Sequence, residues 1–147
     1  MKIKDFLQPE NVALNFVVAD KASLLDALAT KAGAALGLPS DVIATALKER
    51  DALGSTGIGD GVCIPHARFR EVQRPFGMLF RLKRPLSFDA IDGQPVDLAF
   101  LLILPSTMQI DQVNALAAVA RRLRVPGTLE QLRTADNERD FYAAVAG

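Results

Sequence analysis

His66 is the only histidine in the chain, and it stands near the end of a fifteen-residue stretch, Gly54-Ser-Thr-Gly-Ile-Gly-Asp-Gly-Val-Cys-Ile-Pro-His-Ala-Arg68, that holds four of the ten glycines. An imidazole with its ordinary pKa of about 6.5 is largely neutral near pH 7, and its lone pair can act as a nucleophile. Such a ring can take a phosphoryl group covalently. A phosphoryl group in transfer carries its charge on peripheral oxygens and asks mainly for oriented donors. The stretch offers several. Glycines 54, 57, 59 and 61 allow positive φ and leave backbone N–H groups uncovered, so the loop, Gly57 included, is expected to wrap an anion. Arg50, sixteen residues upstream of His66, and Arg68, two residues downstream, are candidate clamps, and Ser55 and Thr56 add hydroxyl donors.

Other chemistries fit less well. One histidine beside one cysteine, with scattered carboxylates, gives no metal-ligand spacing, so neither a metal nor a cofactor is expected. In an extended segment Cys63 and His66 point to opposite sides, which argues against a Cys–His nucleophilic pair and for a packed thiol. The plain alternative for His66 is a satisfied histidine in a turn, and for Arg68 a solvated surface arginine.

The elements that must position this stretch can be read from periodicity. Val62 and Ile64 alternate with Cys63 as in a short strand, and Pro65 fixes the direction from which the chain enters His66. Upstream, Leu24, Leu25, Leu28, Ala32, Ala35 and Leu36 recur at helical spacing, which predicts a helix over Lys21 to Leu36 with Asp20 or Ser23 as N-cap and Gly37 as its stop. Pro39-Ser40-Asp41 opens a second helix whose stripe, Ile43, Ala46 and Leu47, continues to Arg50 and so carries the guanidinium towards the glycine stretch. Before these lies a short strand at Val12 to Phe16. Downstream, Ala67 to Pro75 reads as a loose connection, Phe76 to Leu82 as a strand closed by Lys83-Arg84-Pro85, and Val96 to Leu104 as a central strand covered on both faces. A helix with the face Ile110, Val113, Leu116, Ala117, Ala120 and Leu123 follows, with Arg121, Arg122 and Arg124 in its last turn. Short helices over Thr128 to Thr134 and Asp136 to Ala146 complete the chain. Helices before, between and after strands predict an α/β three-layer sandwich, with helices on both faces of a small sheet.

At 147 residues, half of them hydrophobic, residues 1–147 are expected to form a single domain. Seventeen basic and seventeen acidic side chains cancel, and no basic tract interleaves with aromatics, so nucleic acid is not an expected partner. The longest apolar run, Leu98 to Leu104, is too short for a membrane span, and charges stand where a signal peptide would be apolar. A cytoplasmic protein is the expectation.

Arg50 with Leu53-Gly-Ser-Thr-Gly-Ile-Gly59, then Val62 to Arg68, then Phe88-Asp-Ala-Ile-Asp-Gly-Gln-Pro-Val-Asp97 together resemble the enzyme IIA family of the bacterial phosphoenolpyruvate-dependent phosphotransferase system, mannitol/fructose type, and within it the nitrogen-regulatory branch. The resemblance runs over nearly the whole chain. It implies a mixed sheet flanked by helices, and a histidine, here His66, that accepts phosphate from a small histidine-phosphorylated carrier resembling HPr. Members joined to transport domains pass the phosphate towards a sugar through a IIB component, whereas stand-alone members of the nitrogen branch regulate target proteins according to phosphorylation state. Regulation is the implied role here. The family commonly places a second histidine after the long apolar strand, in a His-Leu-x-x-Leu pattern that here reads Gln112-Val-Asn-Ala-Leu116. The amide of Gln112 can donate to a phosphoryl oxygen but cannot carry charge or shuttle a proton. Two rival readings are a binding module of the same fold that is never phosphorylated, and a small-molecule enzyme with His66 as general base.

Overall fold

The computed structural model describes residues 1–107 and 109–147, and side chains at all of these except 109–113. A short 3-10 turn, Ile3–Asp5, leads into strand β1, Leu7–Phe16, which is followed by helices α1, Lys21–Leu36, and α2, Ser40–Leu53. Three short strands follow, β2 at Gly57–Gly59, β3 at Val62–Cys63 and β4 at His66–Phe69, then the two long strands β5, Phe76–Leu86, and β6, Val96–Pro105. Helices α3, Gln109–Leu123, α4, Thr128–Thr134, and α5, Glu138–Ala146, end the chain.

The strands form one mixed sheet in the order β1-β5-β6-β3-β2, with β4 also paired to β6. β1 runs parallel to β5, β5 antiparallel to β6, and both β3 and β4 parallel to β6. The continuous apolar run of β6 is buried because both faces are covered. Ala99, Leu101 and Ile103 join the core under α1 and α2. Leu98, Phe100, Leu102 and Leu104 join the core under α3, α4 and α5. Each of the leucine, isoleucine and phenylalanine side chains among them contributes about 1.5–3 kcal/mol relative to exposure. The expected three-layer sandwich is thus present.

α1 is capped as its sequence predicts: the Asp20 carboxylate accepts from Ser23 N–H, and Gly37 closes the helix in the left-handed conformation. Several expectations need correction. β1 begins at Leu7, five residues before the expected strand, and tolerates Pro9 because β1 is an edge and its register breaks between Leu7 and Val12. β5 does not close at Lys83-Arg84-Pro85 but continues to Leu86, since the register is interrupted between Arg81 and Leu86 and no ladder donor is asked of Pro85. The supposed connection after His66 begins with a strand, β4. Its four residues are too few to carry a pattern of their own and are fixed by pairing with β6.

The buried face of α3 is also rotated from the one expected. Ala115, Ala118, Val119 and Leu123 are buried, while Ala117 is exposed and Leu116 and Ala120 are only half-buried. Ala115 and Ala118 join the core on this face of the sheet. The expected contributions of Ile110 and Val113 lie outside the described side chains.

Candidate functional site

His66 begins β4 at a break in the edge of the sheet. Val62 and Cys63 pair with Leu98 and Ala99 of β6, and the line resumes when His66 pairs with Leu102. Between them Ile64 N–H faces away from β6 and donates to the Thr56 carbonyl, 2.9 Å away, extending the pairing of β3 with β2, while Pro65 O accepts from Leu102 N–H at 2.9 Å. Strand alternation then sorts the side chains. Cys63, Ala67 and Phe69 enter the core under α1 and α2, Val62 and Ile64 the core on the other face. Cys63 is fully buried, and burial pushes its thiol far above the ordinary range, as expected of a packed rather than a reactive cysteine.

The ring of His66 is held in one tautomer. Its Nδ1 lies 2.8 Å from Ile64 O. A carbonyl oxygen only accepts, so Nδ1 carries the proton and Nε2 the lone pair. Burial pulls the pKa of the ring below its usual value; the Ile64 carbonyl opposes this, and the charges of Arg50 and Arg68 reinforce it. A neutral, oriented nucleophile results.

His66 lines a pocket of about 320 Å³ with Arg50, Ser55, Thr56, Ile64, Leu116 and Arg124 among its other walls. Arg50 arrives from the last turn of α2, as the helical stripe predicts, and its Nη1 donates to Gly54 O at 2.9 Å. Leu116 and Ala120, expected in the core, are half-buried and wall this pocket, Leu116 while also packing against the core. Arg124, which its position at the end of α3 suggested only as a dipole partner, is a further cation there. The charge of Arg68 acts on His66 from the same strand. Gln112 belongs to α3, but its side chain lies outside the described residues.

The glycine stretch differs from expectation in a specific way. Several of its donors are already taken. Thr56 N–H and the Thr56 hydroxyl both donate to Asp51 Oδ1, each at 3.0 Å. The Ser55 hydroxyl donates to Phe88 O at 2.8 Å, and Gly57 N–H donates to Ser55 Oγ at 3.1 Å. Asp60 N–H donates to Asp92 Oδ2 at 3.0 Å. The anions around which this loop is wrapped are therefore two carboxylates of the chain itself. Asp51 is only 7% exposed and Thr56 4%. Burial alone would raise the Asp51 pKa, but Lys21 Nζ at 2.6 Å and the two Thr56 donors outweigh it and hold the carboxyl below its ordinary value. Neither Asp51 nor Lys21 stood out in the sequence, because a carboxylate at the end of a helix and a lysine at the start of another are commonplace on a surface. Only the fold, which closes the 30 positions between Lys21 and Asp51, makes them a pair.

Three comparisons bear on what such a site belongs to. The family described as "Phosphoenolpyruvate-dependent sugar phosphotransferase system, EIIA 2" matches residues 5–147. A nitrogen regulatory protein of Bradyrhizobium diazoefficiens is 37% identical over 146 residues, which is 99% of this chain and 95% of that protein. The crystal structure of nitrogen regulatory protein IIA-Ntr from Neisseria meningitidis superposes with a TM-score of 0.91 at 29% identity, covering 97% of this chain and 98% of that one. An Escherichia coli enzyme IIA for mannitol, solved in complex with phosphorylated enzyme IIB, shares the fold at a TM-score of 0.80 and 14% identity, over 97% of this chain and 99% of that one.

Proposed function

We infer the function of this chain from one premise: it belongs to the phosphoenolpyruvate-dependent sugar phosphotransferase system EIIA 2 family. His66 accepts a phosphoryl group from an HPr-like histidine phosphocarrier, in the cytoplasm, and the phosphorylation state of residues 1–147 as one unit decides which target proteins they bind. The observation that carries this reading is the 2.8 Å bond from His66 Nδ1 to Ile64 O, which leaves the lone pair on Nε2. In the transfer step that lone pair attacks the carrier's phosphorus. A bond from Nε2 to phosphorus forms as the bond to the carrier's ring nitrogen breaks, and the electron pair of the broken bond returns to the carrier's imidazole. Nδ1 keeps its proton, and the positive charge of the phosphorylated ring rests against the Ile64 carbonyl. Arg50 turns from Gly54 O to the phosphoryl oxygens, and Arg68 and Arg124 add positive potential. Ser55 and Thr56 support the loop rather than the phosphate, their hydroxyl protons being committed elsewhere. The relatives called nitrogen regulatory proteins favour regulation of targets over delivery to a IIB transport component.

Incubation with phosphoenolpyruvate, enzyme I and an HPr-like carrier is expected to add one acid-labile phosphate, read by mass spectrometry and absent from His66→Ala. Arg50→Lys is expected to slow the transfer, because a point charge replaces a planar fork. Labelling that persists in His66→Ala overturns the assignment. Gln112, standing where the family carries a second histidine, favours one other reading, a binding module of this fold that is never phosphorylated. A wild type that takes no label from any carrier would establish that one instead.

A further inference from the structure

We propose that Asp51 is a positioning residue for His66, setting the ring's tautomer through a relay of hydrogen bonds that runs from the end of α2 across the glycine stretch. The inference rests on the reading of His66 as the acceptor and adds to it what aims the ring.

Each link is a contact in the structure. Lys21 Nζ holds Asp51 Oδ2 at 2.6 Å and is itself shared with Asp89 Oδ2 at 3.1 Å, so α1, α2 and the segment before β6 meet at one ammonium. The other oxygen, Asp51 Oδ1, receives the Thr56 N–H and hydroxyl. Held there, Thr56 turns its carbonyl to Ile64 N–H at 2.9 Å. Ile64, 5% exposed and so unable to adjust freely, presents its own carbonyl to His66 Nδ1. Pairing with β6 holds Cys63 and His66 on either side of Ile64, but Ile64 N–H itself faces the β2 side of β3, where its partner is Thr56. Without the Asp51 anchor, Thr56 loses its two bonds to the carboxylate and keeps only the β2–β3 pairing, the carbonyl that receives Ile64 N–H is less firmly placed, and the ring is freer to exchange its two neutral tautomers. One of these puts the proton on Nε2 and removes the nucleophile.

An amide keeps the acceptor oxygen while removing the charge, and Lys21 retains Asp89 as a counter-charge. Oδ1 of Asp51→Asn can therefore still accept from Thr56, whereas Asp51→Ala has nothing to offer. The experiment uses full-length wild type, Asp51→Asn and Asp51→Ala, all unphosphorylated, and reads the nitrogen-15 shifts of the His66 ring at a pH where it is neutral. Wild type and Asp51→Asn are expected to show a protonated Nδ1 and a bare Nε2, and Asp51→Ala averaged shifts from both tautomers. Phosphoryl transfer should fall about tenfold to a hundredfold in Asp51→Ala, the range that misplacement of a reacting group produces, with recovery in Asp51→Asn. Should Asp51→Ala not fold, Thr56→Val takes its place; it loses one of the two bonds and should move the ring shifts in the same direction. A folded Asp51→Ala or Thr56→Val with the wild-type ring shifts overturns the proposal, as does an Asp51→Asn ring as averaged as that of Asp51→Ala. The ring measurement needs no phosphate, so a wild type that cannot be phosphorylated contradicts the functional reading without touching this one.

Discussion

At His66 the energetic question is which charge state the fold prefers. Burial disfavours the imidazolium, the hydrogen bond to Ile64 O partly offsets that, and the two arginines disfavour it further, with the net result below the ordinary 6.5. The unfolded chain, with its ordinary value, therefore binds the proton first as pH falls. Folding stability in this contribution is flat above about 6.5 and declines as pH drops from there towards the folded midpoint. A nitrogen-15 titration of the folded protein is expected to give a midpoint under 6.5, and transfer rates should hold as pH is lowered through 6.5 until that midpoint is reached. A midpoint at or above 6.5 would mean that burial and the arginines do not govern the ring. That His66 and Arg50 share one pocket was legible from residue type and helical spacing. What Ser55, Thr56 and Gly57 do was not, because a sequence says that donors exist and not which acceptor, at a separation such as Ser55 to Phe88, has already claimed them.

Among the elements, the tight link between β2 and β3 shows how local backbone demands and distant side chains combine. Gly61 has φ +78°, and a Cβ there would meet Arg133 Nη2 at 2.5 Å and Asp97 Oδ1 at 2.9 Å. Those two side chains are an ion pair at 2.9 Å that also fastens the turn, since Arg133 Nη2 donates to Asp60 O. Gly61→Ala is expected to cost the roughly 1–2 kcal/mol of a left-handed L-residue and, beyond it, to disturb the pair. Gly54 lies in the same stretch but has extended backbone, φ 166°, and nothing within 4 Å of its Cβ position. Gly54→Ala should accordingly be neutral or stabilise by about 0.4–1 kcal/mol through the unfolded chain. Denaturant unfolding of both variants decides it, and equal effects would contradict the account. Periodicity located α1, α2 and β6 well, because each carries a long pattern. It could not find β4, which has four residues, nor the rotation of α3, in which alanines at 115, 117, 118 and 120 look alike in sequence and differ only in what they face.

Across the whole molecule the charges cancel, seventeen against seventeen, yet they are not evenly placed around His66. Arg50 and Arg124 line its pocket and Arg68 acts on its ring. A phosphorylated carrier brings negative charge to this region, so transfer should slow as salt rises and the screening length contracts from about 30 Å at about 0.01 M to about 8 Å at about 0.15 M. Arg124 is exposed and its removal should leave folding intact. Arg124→Gln is expected to lower the transfer rate at low salt and to flatten its salt dependence, with thermal stability unchanged, in a titration of rate against ionic strength. A rate and slope equal to wild type would remove Arg124 from the site. Among the described residues no helix is long and apolar enough to cross a membrane. The layering of this fold was readable from the order of helices and strands, but the strand order was not, since it rests on pairings such as Ala67 with Ile103 that no local pattern encodes.

The central claim is that Nε2 of His66, left bare by the bond from Nδ1 to Ile64 O, is the atom that takes the phosphoryl group. Phosphorus-31 and nitrogen-15 NMR of the protein after phosphorylation by its carrier tests this directly. The expected spectrum has a single phosphohistidine signal coupled to Nε2, with Nδ1 still protonated and absent in His66→Ala. Phosphorus bound to Nδ1, or to any residue other than His66, would contradict it.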